Sequence, residues 1–326
     1  MPSGILPCKP ILLFALLVAL PAAAANYSLN LSTSLSRDDP IYQGLEAFKA
    51  AVETRSEKKI RIKLFPAGQL GADNELLQHA QSGSNVGVVV DSARLASFVP
   101  ELSILPAPFV FPDYAAQRKF VASDTFRGWE QRLAVASGLV PLSFNWYQGG
   151  RMLVTKKPVR SPADLNGVKV RALEAPVTIE TIKCLGGEPV PLAWAEIYSS
   201  LQTGIVDAAE AQPTAVYGSK LYEISKHITQ TRHIHLMTGI VVSQKWLQSL
   251  PQALRDILHD EAQKQGDIAS QETLKKEQQL LAAMAESGVS VDTVDVAPFR
   301  QACATVPEKL GLQDALAQVQ DVIARG

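Results

Sequence analysis

The side chains able to do chemistry are few and scattered. Of five histidines only His233 and His235 stand close together, at strand-like spacing and with no carboxylate or thiol cluster beside them, so they read as structural residues rather than metal ligands. No GxSxG elbow, HExxH helix, Walker A loop or GxGxxG fingerprint occurs in the chain, and no Cys/His cluster has metal-ligand spacing. Carboxylates and arginines remain. Asp73 and Asp91 fit either a remote acid/base pair acting on a carboxylated substrate or acids placed at helix N-termini, where the helix dipole favours them. An arginine carries a planar fork that makes two parallel charge-assisted hydrogen bonds to a carboxylate, which a lysine cannot do. This inventory favours binding over turnover and calls for no metal and no cofactor.

Elements of two kinds must position these groups. Tyr27 to Thr33 alternates in strand fashion, and Pro40 opens a helix with Ile41, Leu45, Phe48 and Val52 on one face. IRIKLF (Ile60–Phe65), a helix over Glu75 to Gln81 and the apolar strand VGVVV (Val86–Val90) continue the alternation, which is the pattern of a parallel sheet covered by helices. After LVPLSFNWY, read as a strand, the pattern restarts. RMLVTKK is a strand, SPADLNG a turn capped by Ser161, VKVRAL a strand that ends on Arg171, and APVTIETIKCLGG a helix stopped by Gly186 and Gly187. IVDAAE reads as a short strand, and ISKHITQTRHIHLMTGIVVS is strand-rich and crosses back toward the first unit. From Pro251 to Gly288 a helical run spans roughly 55 Å, longer than one small domain is wide, with Gly266 as the place for a bend. Two α/β units with crossovers and no catalytic motif imply a two-lobed binder closing on a ligand between its lobes.

The bulk composition agrees. The chain has 326 residues, 47% hydrophobic and 19% charged, enough for about two domains. With Lys+Arg 31 against Asp+Glu 32 and no basic run, it offers no field to hold nucleic acid. Lys9, the apolar stretch ILLFALLVAL (Ile11–Leu20) and the small residues Ala23 and Ala25 before Asn26 read as a cleaved secretory signal peptide over residues 1–25. The apolar stretch is well short of the ~20 residues a membrane-spanning helix needs. Cys8 falls within that segment. Cys184 and Cys303 are expected to be two buried free thiols rather than a disulfide, since nothing in the sequence places them together.

Several separate segments carry a more specific signal. GRMLVTKKPVRSPADLNGVKVRALEAP, LGGEPVPLAWAEIYSSLQTGIVDAAEA and YGSKLYEISKHITQTRH follow one another between Gly150 and His233, preceded by FPAGQLGADNELL and DSARLASFVPELSILPAPFVF. In this order they resemble the solute-binding proteins of tripartite ATP-independent periplasmic (TRAP) transporters, the dicarboxylate-binding-protein-like (DctP) family, over essentially the whole chain beyond residue 25. The resemblance implies an α/β, two-lobed periplasmic-binding-protein-like fold with mostly parallel central sheets, crossing strands and a long bent helix spanning both lobes. Residues 26–148 and 237–276 would form lobe I, and 149–236 and 277–326 lobe II. It further implies a periplasmic location in a Gram-negative bacterium, a small organic-acid ligand, separate TRAP membrane subunits as partners, and a monomer without enzymatic activity.

The resemblance also assigns roles. Arg171 matches the family's main carboxylate-binding arginine and Arg151 a second arginine that assists it. Trp194 matches an aromatic that packs against the ligand. Asp73, Asp91 and Arg94 match positions facing the ligand's polar end in the sialic-acid-binding branch, and as acceptors the two acids favour a hydroxylated monocarboxylate such as a sugar acid. There is one departure. Many relatives have an acidic residue followed by Asn-Pro after the Val-Asp strand, with that asparagine hydrogen-bonding the carboxylate, whereas here Glu210, counted with the ligand-binding residues at the acidic position, precedes Ala211, Gln212 and Pro213. Gln212 can supply the missing amide only if the loop shifts, and Tyr217, about a helical turn further, is the candidate to fill the space.

Overall fold

The computed structural model describes Met1, Gly4 and residues 27–325. The expected export segment lies outside the described residues apart from Met1 and Gly4. In chain order the strands are β1 (Tyr27–Ser32), β2 (Ile60–Phe65), β3 (Val86–Asp91), β4 (Leu139–Thr155), β5 (Lys169–Ala172), β6 (Glu188–Pro191), β7 (Ala208–Ala211), β8 (His227–Ser243) and β9 (Ser290–Asp292). The helices are α1 (Pro40–Arg55), α2 (Asp73–Gln81), α3 (Tyr114–Val121), α4 (Asp124–Ser137), α5 (Pro176–Cys184), α6 (Ile197–Thr203), α7 (Pro213–Gly218), α8 (Gln244–Gln248), α9 (Gln252–Glu286), α10 (Ala297–Cys303), α11 (Val306–Lys309) and α12 (Gln313–Ala324).

These strands join into one mixed sheet of order β2-β1-β3-β8-β4-β7-β5-β6, with β9 beside β8. Each lobe keeps the parallel pairing its strand–helix alternation requires: β1 with β2 and β3 in lobe I, β5 with β6 and β7 in lobe II. Between the lobes run β4 and β8, 17 residues each and antiparallel to one another, so the two half-sheets are continuous. LVPLSFNWY and RMLVTKK, read separately from sequence, are one strand. Its Gly149, at φ +122°, sits where the β4–β8 register shifts, a backbone conformation that a residue with a Cβ adopts only under strain.

Helix α9 crosses both lobes over 35 residues, about 52 Å. Leu258, Ala262 and Ala269 pack into the lobe I core with Phe48 and Trp146, while Leu281 and Met284 pack into the lobe II core with Met152 and Ile228. Gly266 serves close approach. A Cβ there would meet Asn145 Oδ1 at 2.5 Å and Trp146 Nε1 at 2.9 Å. The Asn145 amide donates to Gln263 O (2.7 Å) and Ser270 Oγ to Asn145 O (2.8 Å), stitching α9 onto β4.

Two expectations need correction. Residues 277–326 do not all belong to lobe II: Leu312, Ala315 and Val319 of the last helix are buried with Phe120, Phe126 and Trp129 of lobe I, and Lys119 Nζ donates to Ile323 O (2.9 Å). The alternation of apolar residues in α12 marks a buried face but not which lobe buries it. Cys184 and Cys303 are not free thiols but form a disulfide, their Cα atoms 4.9 Å apart, which ties the end of α5 to the end of α10 across a sequence separation of 119. The pairing is a product of tertiary packing between these helices, which no local pattern encodes.

Candidate functional site

A cavity lies between the lobes. Lobe I lines it with Asp73, Asp91, Arg94 and the apolar Leu35, Val89 and Val90; lobe II with Arg171, Leu173, Thr178, Trp194, Gln212 and Ala215; and the crossing strands with Gln148, Arg151, Ile234, Leu236 and Thr238. Sequence reading had singled out eight residues. Six line this cavity together: Arg171, Arg151, Trp194, Asp73, Asp91 and Arg94.

Strand β5 lies inside the lobe II sheet, between β6 and β7. Its carboxyl end delivers Arg171 to the cleft, as strand ends do in open α/β sheets. Arg171 is 2% exposed. Its Nε donates to Leu192 O (2.9 Å), and the guanidinium lies over the Trp194 ring, 5.4 Å from the centroid. Trp194 is held in turn by its indole N–H, which donates to Ser219 Oγ (3.2 Å). Among the described residues no carboxylate comes within ion-pair distance of Arg171. Burial, reinforced by repulsion from Arg151 and Arg94, brings its pKa down to about 10, so it is still a cation at neutral pH.

Arg151 has a different environment. Its Nε and one terminal nitrogen both donate to the Glu210 carboxylate, and that nitrogen also donates to Glu210 O (2.8 Å). His233 Nε2 stands 3.5 Å from the same carboxylate, and its Nδ1 is 2.7 Å from Thr231 Oγ1. Burial alone would raise the Glu210 carboxyl, but Arg151 and His233 outweigh it and bring the pKa down to about 2. Glu210 thus does not line the cavity; it lies behind Arg151 and fixes it, leaving one terminal nitrogen of Arg151 outside these bonds.

In lobe I, Arg94 bridges Asp73 (3.1 Å) and Asp91 (2.5 Å). Asp91 Oδ1 also accepts from Ala93 N–H (2.9 Å) at the start of the short 3₁₀ turn Ser92–Leu95, and Asp73 opens α2. Both acids therefore combine the helix-start placement with a place in the cavity wall. Burial pushes the Asp73 carboxyl up, with Arg94 opposing and Asp91 adding to the shift. Two acids thus share one cation at this end of the cavity.

Tyr217 is not with the others. It is 38% exposed, stacks on Tyr222 with centroids 5.4 Å apart, and borders a separate cavity with Asp39 and Lys276. The reason is helical phase: Ala215 faces the cleft, and two residues at about 100° each turn Tyr217 to the far side of α7. The amide nearest the place left by Ala211 is that of Gln212. Ala211 is the last residue of β7, paired with Met152. Gln212 at the N-terminus of α7 reaches the cavity and donates to Gln148 Oε1 (2.9 Å). Gln148, Thr178 and Thr238 were missed by sequence reading, since neutral polar residues inside strands and helices carry no local signal of a cavity.

Residues 31–314 match the family model described as bacterial extracellular solute-binding protein, family 7 (DctP). The sialic acid-binding periplasmic protein SiaP of Vibrio cholerae is 27% identical over 291 residues, 87% of this chain and 90% of that protein. A TRAP periplasmic solute-binding protein of Escherichia fergusonii, in an apo open structure, is 66% identical, covers 91% of this chain and 99% of that one, and superposes with a TM-score of 0.81. One from Actinobacillus succinogenes with bound L-galactonate is only 26% identical, covers 92% of this chain and 100% of that one, yet superposes with a TM-score of 0.89. The more distant, ligand-bound relative fits better than the nearer open one.

Proposed function

The chain belongs to the DctP family of bacterial extracellular solute-binding proteins, and from that premise we propose that it captures a hydroxylated monocarboxylate, a sugar acid, between its lobes and hands it unchanged to the membrane subunits of a TRAP transporter. The observation that carries this reading is Arg171, a guanidinium 2% exposed and, among the described residues, without a carboxylate partner. An unpaired buried charge is costly, and a ligand carboxylate removes that cost through two parallel hydrogen bonds. The aromatic face of Trp194 and the wall of Val89, Val90 and Leu236 suit the carbon chain of the ligand. At the other end Asp73 and Asp91 are acceptors for hydroxyls, and Arg94 is already shared between them. A dicarboxylate would place its second carboxylate against two acids whose shared cation, Arg94, is already engaged. The relatives with sialic acid and L-galactonate in their names support the sugar-acid class.

Closure follows from the same contacts. A ligand that touches both lobes only when they are together adds binding free energy to the closed form alone and shifts the population toward it. A micromolar ligand needs about −8 kcal/mol, within reach of one buried Arg–carboxylate pair and several hydroxyl contacts. In our reading the chain is exported by residues 1–25, acts in the periplasm as a monomer, and performs no chemistry. The Cys184–Cys303 disulfide supports an oxidising compartment, and among the described residues no helix is long and apolar enough to cross a membrane.

The test is a thermal-shift and calorimetric screen of the mature protein against organic acids, with Arg171→Lys alongside. Sugar acids should raise the melting temperature, Arg171→Lys should weaken them sharply while the fold is kept, and the ligand should be recovered unchanged after denaturation. Near-normal affinity in Arg171→Lys removes Arg171 from the site, and a converted ligand overturns the transport reading.

A further inference from the structure

A directed chain of hydrogen bonds runs along the cavity wall. Thr238 Oγ1 has a single proton and donates it to Trp146 O at 2.8 Å. Toward Gln148 the hydroxyl can therefore only accept, so Gln148 must present Nε2 to it, at 3.3 Å, and turn Oε1 the other way. Gln148 Oε1 in turn accepts from Gln212 Nε2 at 2.9 Å. The peptide carbonyl of Trp146 thus fixes the orientation of two amides, because reversing either would set oxygen against oxygen. All three side chains are buried: Gln148 is 7% exposed, Gln212 3% and Thr238 2%. At the open end stand Gln212 Oε1, which has no partner among the described residues, and the second Nε2–H of the same amide.

From this directed chain we infer that Gln212 selects ligands carrying two adjacent hydroxyls, one donating to its Oε1 and the other accepting from its Nε2–H. A carboxamide presents an acceptor and a donor side by side, and a vicinal diol is the complementary group on a polyhydroxy acid. A carboxylate fits this position less well than a diol, since it can accept from Nε2–H but has no proton to give Oε1. The amide therefore also orients the ligand, sending its carboxylate to Arg171. The inference rests on the reading of Arg171 as the carboxylate anchor and adds which part of the ligand meets the place where Ala211 leaves the cavity wall without a side-chain amide.

The experiment measures L-galactonate and its mono-deoxy analogues by calorimetry against the full-length mature protein, Gln212→Met and Arg171→Lys. In the unsubstituted protein two analogues lacking neighbouring hydroxyls should bind about tenfold more weakly than the parent acid, the scale of one lost hydrogen bond. Gln212→Met should weaken L-galactonate by at least as much and abolish the difference between it and those two analogues. A Gln212→Met variant that weakens every analogue equally, or none, overturns the inference. If the unsubstituted protein binds hydroxyl-free carboxylates but neither L-galactonate nor its analogues, this inference falls and the carboxylate reading stands. If Arg171→Lys binds acids normally, the carboxylate reading itself falls. Should Gln212→Met not fold, Gln148→Met frees the Gln212 amide to turn over and is expected to erase the same discrimination; unchanged discrimination overturns the inference equally.

Discussion

Replacing Arg171 by methionine separates two effects that one guanidinium exerts on the cleft. In the closed arrangement burial, with repulsion from Arg151 and Arg94, lowers its pKa from 12.5 to about 10. That difference corresponds to about 3 kcal/mol against the charged form. Leu192 and Trp194 of lobe II and Arg151 of the crossing strand stay beside Arg171 in an open cleft, so only the share of this cost that lobe I adds falls on closing without ligand. That share, at most about 3 kcal/mol, holds the empty closed form down by up to roughly 100-fold. Methionine removes the charge while keeping a flexible apolar chain to lie against Trp194. The variant should therefore lose acid binding and, unliganded, populate the closed form far more than the parent. Interlobe distances from spin labels or small-angle scattering, taken with and without acid, read both effects. An unliganded Arg171→Met as open as the parent would refute the argument that the unpaired cation restrains empty closure.

Three further outcomes follow from other parts of the fold. Replacing Cys184 and Cys303 by serine should cost about 2–5 kcal/mol for a bridge that closes so long a loop; melting with and without reductant measures it, and unchanged melting would contradict the bridge. Gly266→Ala should destabilise by about 1–3 kcal/mol, because its Cβ would enter Asn145 and Trp146, as read from denaturant midpoints. Burial raises the Asp39 carboxyl to about pH 6 against 3.8 in the unfolded chain, the Ile41 N–H, Thr214 and Lys276 opposing. Its contribution to stability is thus full below pH 3.8 and lost as pH rises through 6. Asp39→Asn keeps the N-cap of α1 and should be more stable than the parent at pH 8 with no gain at pH 3.5, compared by denaturant midpoints at both.

Much of the fold was readable because its signals are local. The alternation in IRIKLF, the apolar VGVVV, Pro40 and Pro251 as helix openings and the capping box of Ser161 with Asp164 each act within a few residues. Arg171 was marked by the match of VKVRAL to the family's segment rather than by any local pattern. What escaped depends on distance. Whether Cys184 meets Cys303, and which lobe buries Val319, are decided by helices far apart in sequence. Arg151 and Glu210 were each marked as binding residues, yet their mutual pairing makes one the support of the other. Tyr217 misled because its distance along the chain was right and its angle around α7 was not. Gln148 and Thr238 gain meaning only through the directed bond to Trp146 O.

The seat of α12 on lobe I has a consequence for how the chain comes to be folded. Leu312, Ala315 and Val319 share a core with residues as early as Leu76 and Leu77. This part of the lobe I interior is therefore completed only when α12 docks, and its closing contacts are distant in the sequence, the kind that form slowly. A core closed by segments so far apart in the chain is completed late in folding, after its local helices and strands have formed, so its last step is the docking of α12 rather than the formation of any single element.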